Sequence, residues 1–114
     1  MRRRVVITGL GLITPLGQGK DALWEGLTLP RRVVGPITRF DATGYSTRIA
    51  AEVKDFDPTQ FMERKDARRA ARFIQFAIGA THLALQDAQL AITDANREQV
   101  GVLKIGRASC RERV

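Results

Sequence analysis

The sequence contains one cysteine, Cys110, and one histidine, His82, in 114 residues. A disulfide needs two thiols, and a site for zinc or another soft metal ion needs several cysteine or histidine ligands. These counts exclude a disulfide framework and a multi-ligand soft-metal site within the chain. We therefore expect a reducing compartment, the cytoplasm, and we predict no cofactor and no metal ion.

The sequence also lacks a long uninterrupted apolar run. Residues 5–16 are mostly apolar and follow three arginines, an order of charge and hydrophobicity that a secretory signal would share. Gly9, Gly11 and Pro15 interrupt this stretch, no small-residue cleavage site follows it, and it is too short to cross a bilayer. We interpret it as a buried first strand and expect no membrane partner.

Acidic residues are fewer than basic ones, 12 against 19, and the formal net charge is +7. Such a charge would suit nucleic acid, an anionic membrane or an acidic protein. A module that binds single-stranded nucleic acid interleaves aromatic residues with its basic ones. The stretch at residues 63–72 has no aromatic residue, and Phe73 and Phe76, which follow it, both fit the apolar side of a helix. We therefore expect no nucleic acid partner.

Hydrophobic periodicity predicts an α/β chain. Residues 5–8 are continuous and β-branched, which is typical of a buried parallel strand, and residues 100–103 predict a second one. Helical spacing predicts a short helix over residues 20–27 and a long helix, straight or bent, over residues 65–90. Between them we expect loops, short extended pieces at residues 37–40 and 48–53, and a helical turn capped by Asp57 before Pro58.

The last residues have neither helical nor strand periodicity. Residues 105–114 match, codon by codon, the translation of a common short-read sequencing adapter. The preceding adapter bases complete a codon for Lys104, and the next codon in frame is a stop. We therefore predict a natural part at residues 1–103 and a non-native tail at residues 104–114. Without the tail, 15 basic and 11 acidic residues remain, with a net charge of +4 and no cysteine.

Residues 4–17, RVVITGLGLITPLG, resemble the opening strand and turn of the elongating (type II) β-ketoacyl-[acyl carrier protein] synthases. Phe40-Asp41, residues 56–58 and residues 64–77 follow in the order and spacing of that family. Residues 100–103 resemble the next strand of the family. At that point the family continues into a glycine-rich turn, whereas this sequence has Lys104.

This resemblance implies the N-terminal part of a thiolase-like fold, a mixed sheet with helices, incomplete here and homodimeric in the intact family. It also implies an acyltransferase of fatty-acid elongation, which condenses an acyl chain with malonyl-[acyl carrier protein] and releases CO₂. The chemistry needs an activated cysteine, oxyanion-binding N–H groups and histidines. In the family these lie beyond residue 103, so we expect this chain to be inactive. The alternative is a non-catalytic chain-length-determining partner of a polyketide synthase.

Within residues 1–114, no residue is assigned as catalytic. Cys110 lies in the predicted tail, and a lone helical histidine such as His82 is usually a packing or surface residue. Gly9 and Gly11 could begin a dinucleotide-binding fingerprint, but Thr14 stands where the third glycine belongs. We interpret these two glycines as allowing a tight turn after the first strand.

Basic residues recur at three- and four-residue spacing in one predicted helix, so that several share a face: Arg64, Lys65, Arg68, Arg69 and Arg72. A face of this kind is often only solvated. The resemblance implies a role for three of them, because acyl carrier proteins are strongly acidic and the matching family residues dock them. We therefore predict Lys65, Arg68 and Arg69 as a docking site for acyl carrier protein.

Overall fold

The computed structural model describes residues 2–29 and 31–106. Its regular elements are short except for one helix of 16 residues. In chain order they are β1 (Ile13–Thr14), β2 (Gly17–Gln18), α1 (Gly19–Thr28), β3 (Val34–Pro36), β4 (Ile49–Ala51), α2 (Arg64–Arg69) and α3 (Arg72–Asp87). Single 3₁₀ turns at Pro58–Gln60 and Arg97–Gln99 precede α2 and follow α3.

The strands form two separate antiparallel pairs. β1 pairs with β2 across the turn at Pro15 and Leu16, and β3 pairs with β4 in a longer hairpin. β4 lies within the extended piece predicted at residues 48–53, which is confirmed. The strand predicted at residues 37–40 is wrong, because β3 ends at Pro36.

The prediction of buried strands at residues 5–8 and 100–103 is wrong for this chain. Neither segment forms a ladder, and the side chains of residues 5–8 and 102–103 are exposed, Val5 by 93% and Val102 by 88%. A continuous apolar run becomes a buried strand only when other strands pair with it and helices cover it. The described residues supply no such strands beside either segment.

Local signals predicted two elements well. α1 contains the predicted helix at residues 20–27, with one further residue at each end. The turn after Asp57 is also confirmed, because its carboxylate Oδ1 accepts the backbone N–H of Thr59 at 2.9 Å and Pro58 takes the first helical position.

The core lies along one side of α3. Phe56, 6% exposed, meets the Phe76 ring edge-to-face at 5.0 Å between centroids and stacks on Phe61 at 5.8 Å. Gly79 of α3 lies against Phe56 and Ile13, where an added Cβ would stand 2.7 Å from Ile13 Cδ1. The absence of a side chain at Gly79 therefore lets Ile13 and Phe56 pack directly against α3.

The N-terminal segment also approaches α3 closely. A Cβ on Gly11 would lie 1.8 Å from the carbonyl oxygen of Ala80, and one on Gly9 would lie 2.4 Å from that of Ala84. Neither glycine has a positive φ. The prediction that these glycines allow a tight turn is therefore wrong. Their missing side chains instead let the N-terminal segment contact the backbone of α3.

Candidate functional site

Helix α2 begins at Arg64, and three residues separate it from the end of the capped turn that follows Asp57. The backbone N–H groups of Phe61 and Met62 both donate to the Pro58 carbonyl, which leads the chain into the helix. Ala67 is the residue that α2 buries, at 7% exposure. A single small buried residue anchors this short helix, so its remaining surface faces solvent.

That surface carries the predicted docking residues. Lys65, Arg68 and Arg69 all lie in α2 and are exposed, with Lys65 three and four residues before the two arginines. Successive positions at this spacing are neighbours on a helix surface. Arg68 and Arg69 occupy the last turn, where positive charge is favourable at the negative end of the helix dipole.

These charges are not neutralised by the rest of the described chain. α2 contains four basic residues and one acidic residue, Asp66. Within residues 2–29 and 31–106, neither Lys65, Arg68 nor Arg69 forms an ion pair. The helix therefore presents a concentrated positive surface that can attract an acidic partner.

The long predicted helix at residues 65–90 is two helices. Ala70 and Ala71 are extended, with ψ values of 131° and 152°, and α3 starts at Arg72 and ends at Asp87. The side chain of Gln75 bridges the break, because its Nε2 donates to the carbonyls of Ala67 at 2.8 Å and Ala70 at 3.1 Å. This satisfies carbonyl groups that the end of α2 leaves without helical partners.

Arg72 does not belong to the exposed basic surface with which its spacing grouped it. Its guanidinium donates to the Val53 carbonyl at 3.0 Å and lies over two aromatic rings, 4.8 Å from the centroid of Phe76 and 5.4 Å from that of Phe56. Burial, with a smaller contribution from the charge of Arg39, lowers the pKa of Arg72 from its ordinary value. Arg72 thus stabilises the core beneath the site.

The sequence analysis considered two further residues, His82 and Cys110, and assigned neither a catalytic role. His82 is exposed on α3, with its ring centroid 5.9 Å from that of Phe61, as expected of a surface histidine. Cys110 lies outside the described residues. In the part of the chain that the structure describes, no group of three or more histidine, cysteine, aspartate or glutamate residues could hold a metal ion, and no helix could span a bilayer.

The β3–β4 hairpin is ordered by a side chain for which no role was predicted from the sequence. The carboxylate of Glu52 accepts the hydroxyl of Thr38 at 2.7 Å and the backbone N–H groups of Thr38 and Arg39 at 3.1 and 3.3 Å. These bonds hold the pKa of Glu52 below 4.5, with the Thr38 side chain as the main cause. An acidic residue near the end of a weak extended pattern gives no sequence signal of such a role.

An apolar groove runs along the outer side of α3. It is lined by Ile74, Ile78 and Thr81 of the helix and by Val102 and Leu103, and its volume is about 570 Å³. Lys104 lies beside it, with Nζ 4.8 Å from the centroid of the Phe73 ring.

The fold matches part of a known architecture. A solved structure described as the ishigamide ketosynthase/chain length factor superposes with a TM-score of 0.72 at 38% sequence identity, covering 80% of this chain and 23% of that chain. The chain therefore has part of the thiolase-like ketosynthase fold, as the sequence predicted.

The family follows from the sequence match. The pattern of the family "Beta-ketoacyl synthase, N-terminal domain" matches residues 2–108, so the chain belongs to the β-ketoacyl synthase family. The match runs past residue 103, and the boundary of the natural part at that residue stays a prediction.

Curated relatives agree with this assignment. The 3-oxoacyl-[acyl-carrier-protein] synthase 2 of Synechocystis sp. is 50% identical over 102 residues, which are 90% of this chain and 24% of the relative. The proteins of the same name from Coxiella burnetii and Vibrio harveyi are each 46% identical over 101 residues, 89% of this chain and 24% of each relative. The chain thus spans about a quarter of the length of these relatives.

Proposed function

We propose that this chain is the N-terminal part of an elongating 3-oxoacyl-[acyl carrier protein] synthase. The intact enzyme would condense an acyl chain with malonyl-[acyl carrier protein], with loss of CO₂, as a cytoplasmic homodimer. The observation that carries this proposal is the 50% identity to a relative named as such a synthase, over 90% of the chain. The reacting cysteine and histidines would lie beyond residue 103.

Within that enzyme, the role proposed for this segment is recognition of the carrier protein by α2. Support comes from the exposure of Lys65, Arg68 and Arg69 and from their freedom from ion pairs among the described residues. An acidic carrier approaching this surface would be steered and oriented by charge. Such an interaction affects carrier binding more than the chemical step.

A chimeric synthase tests this role. Residues 2–103 of this chain would replace the matching segment of the Synechocystis synthase, and Lys65, Arg68 and Arg69 would be changed together to glutamate. We expect KM for malonyl-carrier protein to rise about tenfold, equivalent to about 1.4 kcal/mol. Turnover of malonyl-pantetheine, a substrate without the carrier protein, should not change.

The matched control reverses three other exposed arginines. Arg2, Arg3 and Arg4 are exposed at the N-terminus, and their change to glutamate alters net charge by the same amount. If this control raised KM as much as the α2 variant does, or if neither variant raised it, docking by α2 would be refuted.

A second candidate function is a non-catalytic chain-length-determining partner of a polyketide synthase. The solved structure that this chain resembles supports this second candidate, since that protein is described as a ketosynthase/chain length factor. The genomic sequence after codon 103 discriminates between the two. A glycine-rich turn followed later by a cysteine and two histidines indicates the enzyme, and loss of the cysteine indicates the partner.

A further inference from the structure

The β3–β4 hairpin lies beside the junction of α2 and α3. Arg72, the first residue of α3, donates to the carbonyl of Val53, two residues after the end of β4. The positive charge of Arg39, on the β3 side of the hairpin loop, is near enough to help lower the pKa of Arg72. The hairpin loop and the basic helix α2 therefore flank the same residue.

The loop of this hairpin is held in one conformation by its own polar groups. Glu52 binds the backbone N–H of Arg39, the carboxylate of Asp41 accepts the N–H of Thr43 at 2.9 Å, and the N–H of Tyr45 donates to the Ala42 carbonyl at 3.2 Å. Because these bonds already order the loop, a partner that binds it loses less conformational entropy on association.

The surface of the loop has the composition of a protein interface. Phe40 and Tyr45 are 55% and 62% exposed and meet edge-to-face with ring centroids 5.8 Å apart. Arg39 and Arg48 flank them, both exposed, and Arg48 Nε donates to the Tyr45 carbonyl at 3.3 Å. Aromatic residues and arginine are enriched at interfaces and among the residues that dominate binding energy.

The charges of the loop select the kind of partner. In the part of the chain that the structure describes, neither Arg39 nor Arg48 forms an ion pair. The acidic residues nearest in sequence, Asp41 and Glu52, are engaged by hydrogen bonds from the loop itself. An acidic protein surface with an apolar contact at its centre fits this arrangement.

We propose that the loop formed by Arg39, Phe40, Tyr45 and Arg48 is a second contact for the acidic protein that binds α2, so that the partner spans the α2–α3 junction. This inference rests on the proposed function, because the same carrier would occupy both surfaces. The loop would add a desolvated aromatic contact to the electrostatic attraction of α2.

The test uses the chimeric synthase with Arg39→Glu and Arg48→Glu, singly and together. We expect the double variant to raise KM for malonyl-carrier protein about three- to tenfold, with the rise diminished at high salt, as for charge-steered association. Turnover of malonyl-pantetheine should not change. Phe40→Ala should raise the same KM with a smaller dependence on salt, since its contribution is apolar.

The control is Arg97→Glu, at an exposed position after α3 where the arginine pairs with Asp94 at 3.1 Å. An unchanged KM in the loop variants, alongside a raised KM in the α2 variant, would overturn the loop contact and leave docking by α2 standing. An unchanged KM in both sets would overturn both. A lowered melting temperature with unchanged KM would show that the rest of the synthase covers the loop, which also overturns the inference.

Discussion

Two glycines determine how closely the N-terminal segment approaches α3. Gly9 and Gly11 lie against the backbone of residues 80–88, and an added methyl group on Gly11 would overlap the Ala80 carbonyl. The helix backbone cannot yield as the end of a flexible side chain can. The atoms nearest to Gly11 are backbone atoms of Ala80 and Ala84, so the close-packed contact leaves no room for a side chain on this glycine.

We predict that Gly11→Ala destabilises the chimeric synthase by about 1–3 kcal/mol, because overpacking against fixed atoms forces the backbone to shift. The matched control is Gly35→Ala in β3, where an added Cβ meets nothing within 4 Å and φ is not positive. Thermal unfolding of both variants measures the effect. Equal melting temperatures for the two variants would show that the close contact is absent from the intact protein.

At the scale of single elements, the structure departs from the sequence pattern where tertiary contacts compete with local preference. Alanine is the best helix former, so Ala70 and Ala71 predict a continuous helix. They are extended because Gln75 binds the carbonyls at the end of α2 and Arg72 reaches across to Val53. Neither contact leaves a signal in the local periodicity.

Elements defined by neighbouring residues could be predicted from the sequence. α1 and the turn capped by Asp57 depend on spacing and capping within a few residues, and both are present. The basic surface was also predictable, because helical spacing alone places Lys65 beside Arg68 and Arg69. The ordered loop at residues 39–48 was not predictable, since its order depends on Glu52 across the hairpin.

The contact that joins α1 to the end of α3 predicts an acid dependence of stability. The carboxylate of Asp87 accepts hydrogen bonds from Lys20 Nζ and from the backbone N–H of Leu10, the latter at 3.0 Å. These bonds, that of Lys20 foremost, hold the pKa of Asp87 below 3.8. A carboxyl group whose pKa is lower in the folded state than in the unfolded state stabilises the fold at pH values above its unfolded-state pKa. This stabilisation is lost as the pH falls through its folded-state pKa.

We therefore expect Asp87→Asn to lower the free energy of unfolding of the chimeric synthase at pH 7, and the difference from the parent to shrink as the pH falls below about 4. Urea unfolding across this pH range measures it. Asp55→Asn is the control, because the Asp55 carboxylate has no hydrogen bond among the described residues. A difference that stayed constant with pH would argue against the lowered pKa of Asp87.

At the scale of the whole molecule, the described residues bury few hydrophobic side chains for a chain of this length. The hydrophobic residues that are buried are Ala42, Phe56 and Ala67, and no described side chain is completely buried. The Cα radius of gyration is 17.2 Å. A compact domain of this length would have about 13 Å. These values agree with a chain that spans 24% of its curated relatives.

The same deficit predicts how the isolated chain behaves. Apolar side chains at residues 5–7 and 102–103, together with the groove along α3, stay in water, so little hydrophobic stabilisation offsets the entropy lost on folding. We expect the purified chain to be inactive in condensation, poorly soluble and without a cooperative thermal transition, whereas the chimera unfolds cooperatively. Circular dichroism during heating of this chain, and of residues 2–103 alone, provides the measurement. A sharp transition in either would mean that burial of the kind seen around Phe56 suffices for a stable domain without the remainder of a synthase.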